Sequence, residues 1–301
     1  MGPAFPGRVP RNPGVSQSGP SGASSLPISE IQRRLGELSF YHSIDVRPGV
    51  STKGWWDLRH ALPLIPFPEV RGKRCLDIGT WDGFYAFELE RRGAAEVVAL
   101  DIPDVTDIDF PPEVKADPDF DARSMGSQPR NAGFHLLHEL LGSRVQFRGG
   151  NVYDLTPSFI GTFDVVVMGS ILLHLRDPVR ALDAVRTVVS PGGALLSVDY
   201  IHPIAHLLAW GRPIFELRGE GTDFQWWLAS DAGYRQLLLV GGFTIDRASK
   251  MFLLRPSDPA SALVDESGAR GRARWLMKTA MTGDRTRGGH LHRAYLTHRR
   301  F

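Results

Sequence analysis

Residues 73–101 read KRCLDIGTWDGFYAFELERRGAAEVVALD. An apolar run leads into a turn with two glycines, then an amphipathic stretch, then a second apolar run ending in an acid. A strand–helix–strand unit of this length builds a parallel strand pair. Strands without polar alternation are covered on both faces. The pattern continues through VQFRGG (145–150), FDVVVMGS (163–170) and GALLSVDYI (193–201). Helices are expected at 83–92, 132–141 and 178–189, with SPGG (190–193) ending the third and turning into the next strand. A further helix at about 230–240 precedes FTIDRAS, and HRAYLTH forms the last strand. The expected fold is an α/β, doubly wound sheet in one domain, residues 73–301, with insertions near 102–131, 202–226 and 250–290.

Upstream, residues 1–27 are mostly Pro, Gly and Ser and are expected to be disordered. Residues 28–72 are expected to form a helical approach segment, opened by a helix in ISEIQRRLGELS with Ser29 as its cap and carrying tandem Trp55 and Trp56. No run of about 18 apolar residues occurs, and the first 27 residues lack the apolar stretch of a secretory signal. Cys75 is the single cysteine, which excludes an internal disulfide and a cysteine-rich metal site. Its place inside a strand suggests an inert thiol in a reducing cytoplasm, and no metal site is expected.

The net charge of +2 conceals segregation. Asp101, Asp104, Asp107, Asp109, Glu113, Asp117, Asp119 and Asp121 face Lys115 alone in one stretch, whereas residues 268–301 hold nine Lys or Arg against Asp284. A basic tail of this kind suits either RNA or a solvated surface.

The turn Gly79-Thr80-Trp81-Asp82-Gly83, with Gly79, Trp81 and Gly83 as candidate cofactor contacts, discriminates between cofactors. A dinucleotide fold places three glycines in G-x-G-x-x-G so that backbone amides approach a pyrophosphate. Here Trp81 replaces the middle glycine, and Asp77 and Asp82 would repel that pyrophosphate. S-adenosylmethionine (SAM) carries a sulfonium and an ammonium, for which nearby acids are compatible, and Asp77 is positioned to hold the ammonium. Asp101 ends the second strand, where two acceptor oxygens suit two ribose hydroxyls, with Ile102 following it. Asn151, Val152, Tyr153 and Asp154 in GGNVYDL are candidates for the adenine. Gly169 and Ser170 end a further strand at the edge where such sheets bind ligands, and His174 follows on a short helix.

DIGTWDG, VVALD, FDVVVMGS and GGALLSVDY, in this order, resemble a class I SAM-dependent methyltransferase. With FYHSIDVRPGVSTKGWWDLR and MGSILLHLRDPVRAL they are similar to the family that includes the tRNA wobble-uridine 5-oxyacetate carboxymethyltransferase. The resemblance covers about residues 38–250 and the last strand, and implies a seven-stranded Rossmann-like sheet with an antiparallel last strand. Carboxymethyl-transferring members hold carboxy-SAM through a lysine, a tyrosine and an arginine. Here Leu173 stands at the tyrosine place, no lysine precedes Lys53, and Arg293 alone matches. Ordinary SAM and plain methyl transfer are therefore expected.

Such transfer is an in-line displacement whose main requirement is alignment. His174 is the candidate base for an oxygen or nitrogen acceptor, with a structural hydrogen bond as its other reading. His42, Trp55, Trp56, Trp226 and Trp227 are candidates to line the acceptor, or are ordinary core. A small-molecule acceptor is expected in preference to tRNA. A non-catalytic SAM-binding protein and an NAD oxidoreductase are the other readings.

Overall fold

A computed structural model describes residues 25–118, 128–219, 225–258 and 268–301. The expected disorder of residues 1–27 falls outside these residues except at its last three positions. There the Leu26 carbonyl accepts a hydrogen bond from Arg47.

Strands are numbered along the chain. β1 (Phe40–His42), β2 (Asp45–Arg47), β3 (Val50–Ser51) and β4 (Gly54–Asp57) precede the core. The parallel core consists of β5 (Arg74–Ile78), β6 (Glu96–Asp101), β7 (Gln146–Gly149), β8 (Phe163–Gly169) and β9 (Val189–Tyr200). β10 (Phe215–Leu217) and β11 (Trp227–Ala229) form a small hairpin sheet; β12 (Phe243–Ala248), β13 (Phe252–Pro256) and β14 (His290–Arg299) complete the set.

The expected doubly wound sheet is present, in the order β12-β14-β9-β8-β5-β6-β7, with β14 antiparallel to both neighbours. Core strands place Leu76, Ile78, Val166 and Met168 on one face and Cys75, Val165 and Val167 on the other, all buried. That two-sided burial is the reason their sequences lack alternation. Burial pushes the free Cys75 thiol up to about 12, in keeping with an inert role.

Several features depart from expectation. β14 forks: His292, Leu291 and His290 pair with β13, while Tyr295 to Arg299 pair with β12. Through β13 the sheet continues to β4 and β1, giving ten strands. The segment 28–72 is consequently strand-rich rather than helical, with one helix at Ile28–Leu35 and a single 3-10 turn at Arg59–Ala61. Pro27, not Ser29, stands at the cap of that helix, since a proline supplies the fixed φ and needs no donor there. Finally, SPGG does not separate helix from strand. Val189 already pairs with Phe163 and the next registered pair is Val165 with Ala194, so the four residues bulge out of β9. The insertions hold a short helix at Pro112–Lys115, another at Pro203–Leu208 and a longer one at Gly268–Thr282.

Candidate active site

The carboxyl ends of β5, β6 and β8 open onto one cleft, at the point where strand order reverses. Gly79 leaves β5 with φ +72°, and a Cβ there would sit 2.7 Å from Ile171 Cδ1. A side chain would face both a left-handed backbone and that clash. Trp81 also has positive φ and lines the cleft. Gly83, with φ +92°, starts the helix Phe84–Arg91; a Cβ would strike the Phe87 ring at 2.3 Å. Gly83 is therefore a helix-start residue and not part of the cleft wall, contrary to its expected cofactor contact.

Asp77 is displaced from its expected role too. Its Oδ2 accepts from Thr80 Oγ1 (2.7 Å) and the Ala86 amide (3.1 Å), which buries it beneath the turn as a brace. Burial raises its carboxyl to about 7.

Asp101, Ile102, Asn151, Val152, Gly169, Ser170, His174 and His42 all line the cleft. Asp101 does so with its oxygens engaged. Oδ2 accepts from the Trp81 amide (2.6 Å), and Oδ1 from the Ile102 amide (2.8 Å) and the Arg130 guanidinium (2.7 Å). Arg130 also lies over the Trp81 ring, 4.2 Å from its centroid. Asn151 accepts from the Tyr153 amide, and Tyr153 Oη donates to Asp109.

Ser170 sits at φ +51° with its amide on the Val198 carbonyl. Its Oγ lies 3.0 Å from His292 Nε2, whose Nδ1 lies 3.0 Å from the His290 carbonyl. Burial lowers His292 to about 4, so the ring is neutral near pH 7. Nδ1 must donate to the carbonyl, Nε2 then accepts from Ser170, and Ser170 turns its lone pairs towards the cleft. Burial, with His292, Lys278 and His174 nearby, lowers His290 to about 3.

His42 is held by the opposite wall. Its Nδ1 is 2.6 Å from Asp82 Oδ1, and its ring stacks on Phe84 at 5.0 Å. Asp82 is thus a partner of His42.

The remaining expected acceptor residues stand elsewhere. In β4, alternation turns Trp55 outward, half exposed, and Trp56 inward against His290. Trp226 and Trp227 donate to the carbonyls of Asp109 and Arg176, pinning their insertion beside the cleft without lining it. Arg293 points away: its guanidinium binds Asp231 (2.8 Å) and the Ser249 carbonyl (2.9 Å). Neighbours on a strand face opposite sides, so His292 approaches Ser170 while Arg293 meets the helix Asp231–Val240. The alternation of HLHRAYL carried that signal. Nothing in SQPRNAG marked Arg130.

Among the described residues no group of three or more His, Cys, Asp or Glu side chains is placed to hold a metal. Likewise no helix there is long and apolar enough to cross a membrane.

Parts of this chain are similar in sequence to known proteins. A ubiquinone biosynthesis O-methyltransferase of Azotobacter vinelandii is 33% identical over 169 residues, 52% of this chain and 62% of its own. One from Acinetobacter baumannii is 30% identical over 197 residues, 60% of this chain and 70% of its own. A tRNA U34 carboxymethyltransferase of Campylobacter hominis is 28% identical over 130 residues, 43% of this chain and 37% of its own. The chain thus spans less than two thirds of the first of these relatives. The family model for a methyltransferase domain matches residues 55–237, which run from β4 past Gly79, Asp101, Ser170 and His174 into the helix after β11. With that stretch holding the cleft's principal walls, the chain belongs to the methyltransferase-domain family.

Proposed function

We propose that this chain transfers the methyl group of SAM to a hydroxyl oxygen of a small-molecule acceptor. The observation that carries the donor assignment is the charge of the cleft wall. Asp101, Asp107 and Asp109 line it against Arg130, which is already paired with Asp101. A site with this balance suits a donor bearing a sulfonium and an ammonium and disfavours a dinucleotide with its pyrophosphate. When bound, the sulfonium supplies a methyl carbon already activated for displacement.

The chain's own groups would divide the remaining work. Asp101 would hold the ribose, with Ile102, Asn151 and Val152 around the adenine, and Ser170 would accept from the donor's ammonium. Gly79 and Trp81 would cover the centre of the donor. His174 stands on the same wall as Ser170 and is a candidate to contact the acceptor. Closure of the cleft around aligned groups supplies most of what this chemistry needs.

An oxygen acceptor agrees with the ubiquinone O-methyltransferases among the relatives. The basic C-terminal stretch gives little support to tRNA. Lys278, Arg293, Arg299 and Arg300 all donate hydrogen bonds within the fold, leaving fewer cations for phosphate contacts.

Calorimetry with SAM and NADH tests the donor, and mass spectrometry of product from SAM and a panel of small phenols tests the acceptor. SAM binding without NADH binding, and a mass gain of one methyl group, are expected. Binding of NADH alone would overturn the proposal.

A further inference from the structure

The structure assigns His42 as the general base that takes the acceptor's hydroxyl proton, with Asp82 as the residue that positions it; this rests on the methyl-transfer reading above. His42 lines the cleft, and its side chain is 12% exposed while that of Asp82 is 2% exposed. Asp82 Oδ2 accepts from the amides of Tyr41 and His42, both at 2.8 Å, and Oδ1 faces His42 Nδ1 at 2.6 Å. A carboxylate in this setting only accepts, so Nδ1 carries the proton. In the neutral ring the lone pair then resides on Nε2, which makes no hydrogen bond to a described residue. A fixed tautomer with a free nitrogen at a cleft wall is what proton abstraction requires.

The backbone holds that ring as firmly as its partner does. Thr52 Oγ1 donates to the His42 carbonyl and accepts from the Ile44 amide. Gly54 lets β4 approach at the same carbonyl, since a Cβ there would lie 2.1 Å from the His42 carbonyl carbon. The ring rests on Phe84, the residue that follows the glycine turn. His42 lines the same cleft as Asp101 and Ser170, the residues read above as the donor's contacts.

The step balances without a further reactant. The acceptor O–H bond breaks and its proton passes to Nε2. The freed oxygen pair forms the bond to the methyl carbon while the carbon–sulfur bond breaks, and that pair remains on sulfur, which loses its positive charge. The imidazolium returns the proton to solvent.

The test uses the full chain, SAM, catechol, and 4-nitrocatechol, whose hydroxyl ionises near neutral pH without help. His42→Asn keeps an amide N–H near the place of Nδ1 for Asp82 and removes only the basic nitrogen; His42→Gln is the second variant should the first not fold. Either variant is expected to lose catechol methylation at least about a hundredfold. It should keep 4-nitrocatechol within about fivefold of wild type and leave calorimetric SAM affinity unchanged. Asp82→Asn should lose about tenfold on catechol, with the same sparing of 4-nitrocatechol. Equal losses on both phenols, or no loss on either, overturn the base while leaving methyl transfer standing. Wild-type protein that binds SAM and methylates neither phenol overturns the hydroxyl acceptor, and the base with it.

Discussion

Arg130 places its guanidinium 2.7 Å from Oδ1 of Asp101 and covers the ring of Trp81. Oδ1 already accepts from the Ile102 amide, so a ribose hydroxyl and Arg130 compete for what remains of that oxygen. Arg130→Ala is therefore expected to bind SAM about threefold or more tightly. The free protein should melt at lower temperature, because removing one partner strands a buried carboxylate. Calorimetry and thermal shift with and without SAM measure both; weaker SAM binding in the variant would show that Arg130 supports the ligand.

Asp101→Ala removes the ribose contact itself. Two hydrogen bonds of about 1 kcal/mol each correspond to a loss of at least tenfold in SAM affinity. Unaltered binding in a calorimetric titration would remove the assignment.

Gly79→Ala tests the turn by a different route. A left-handed conformation costs a non-glycine residue about 1–2 kcal/mol, and the new methyl would press on Ile171 Cδ1. Gly79→Ala with Ile171→Ala should regain the packing loss but keep the backbone cost. Full recovery in urea denaturation would show that no conformational strain exists there.

The buried carboxyls Asp77 and Asp199 have folded pKa values raised by burial to about 7 and about 6. Their unfolded value is about 3.9. Between these limits the folded state holds the extra proton, so their contribution is fully present below about pH 4 and is lost as pH rises towards 7. Asp77→Asn should flatten that part of the stability curve relative to wild type, as read from denaturation midpoints between pH 4 and 8. Superimposable curves would contradict the raised value.

Neither Leu173 nor Arg293, at the places of two carboxylate anchors, lines the cleft. The first is buried and apolar, and the second is committed to Asp231. Carboxy-SAM would bury a carboxylate without a partner, at a cost of several kcal/mol. SAM should bind at least tenfold more tightly in competition. Arg293→Ala should lower the melting temperature yet leave SAM affinity unchanged, and reduced affinity would restore the arginine to the site.

How much of this was legible in the chain depends on whether the signal was local. The parallel core could be read because two-sided burial writes itself as apolar runs in RCLDIG and FDVVVMGS. Gly79, Asp101 and Ser170 could be placed because they terminate such runs. Asp77 could not be told from a cofactor contact by residue type. Its displacement beneath the turn depends on Thr80 Oγ1 and on an amide nine residues away. Arg130, 29 residues from Asp101, and His42, 40 residues from Asp82, are joined to the site only by folding. Arg293 misled for a simpler reason: one step of strand alternation separates it from His292, and a resemblance in residue type does not record which face is used.

The forked pairing of β14 also orders events in time. β4 carries β1, and with it His42, and joins the main sheet through β13, which is itself seated on the first residues of β14. A ribosome delivers the histidine wall first and its anchorage last, more than two hundred residues later. Until the final strand emerges, the SAM-side core has its parallel strands, yet the wall bearing His42 lacks that attachment. The wall bearing His42 is then tied to the core through Asp82 and Phe84, and β14 adds the second attachment.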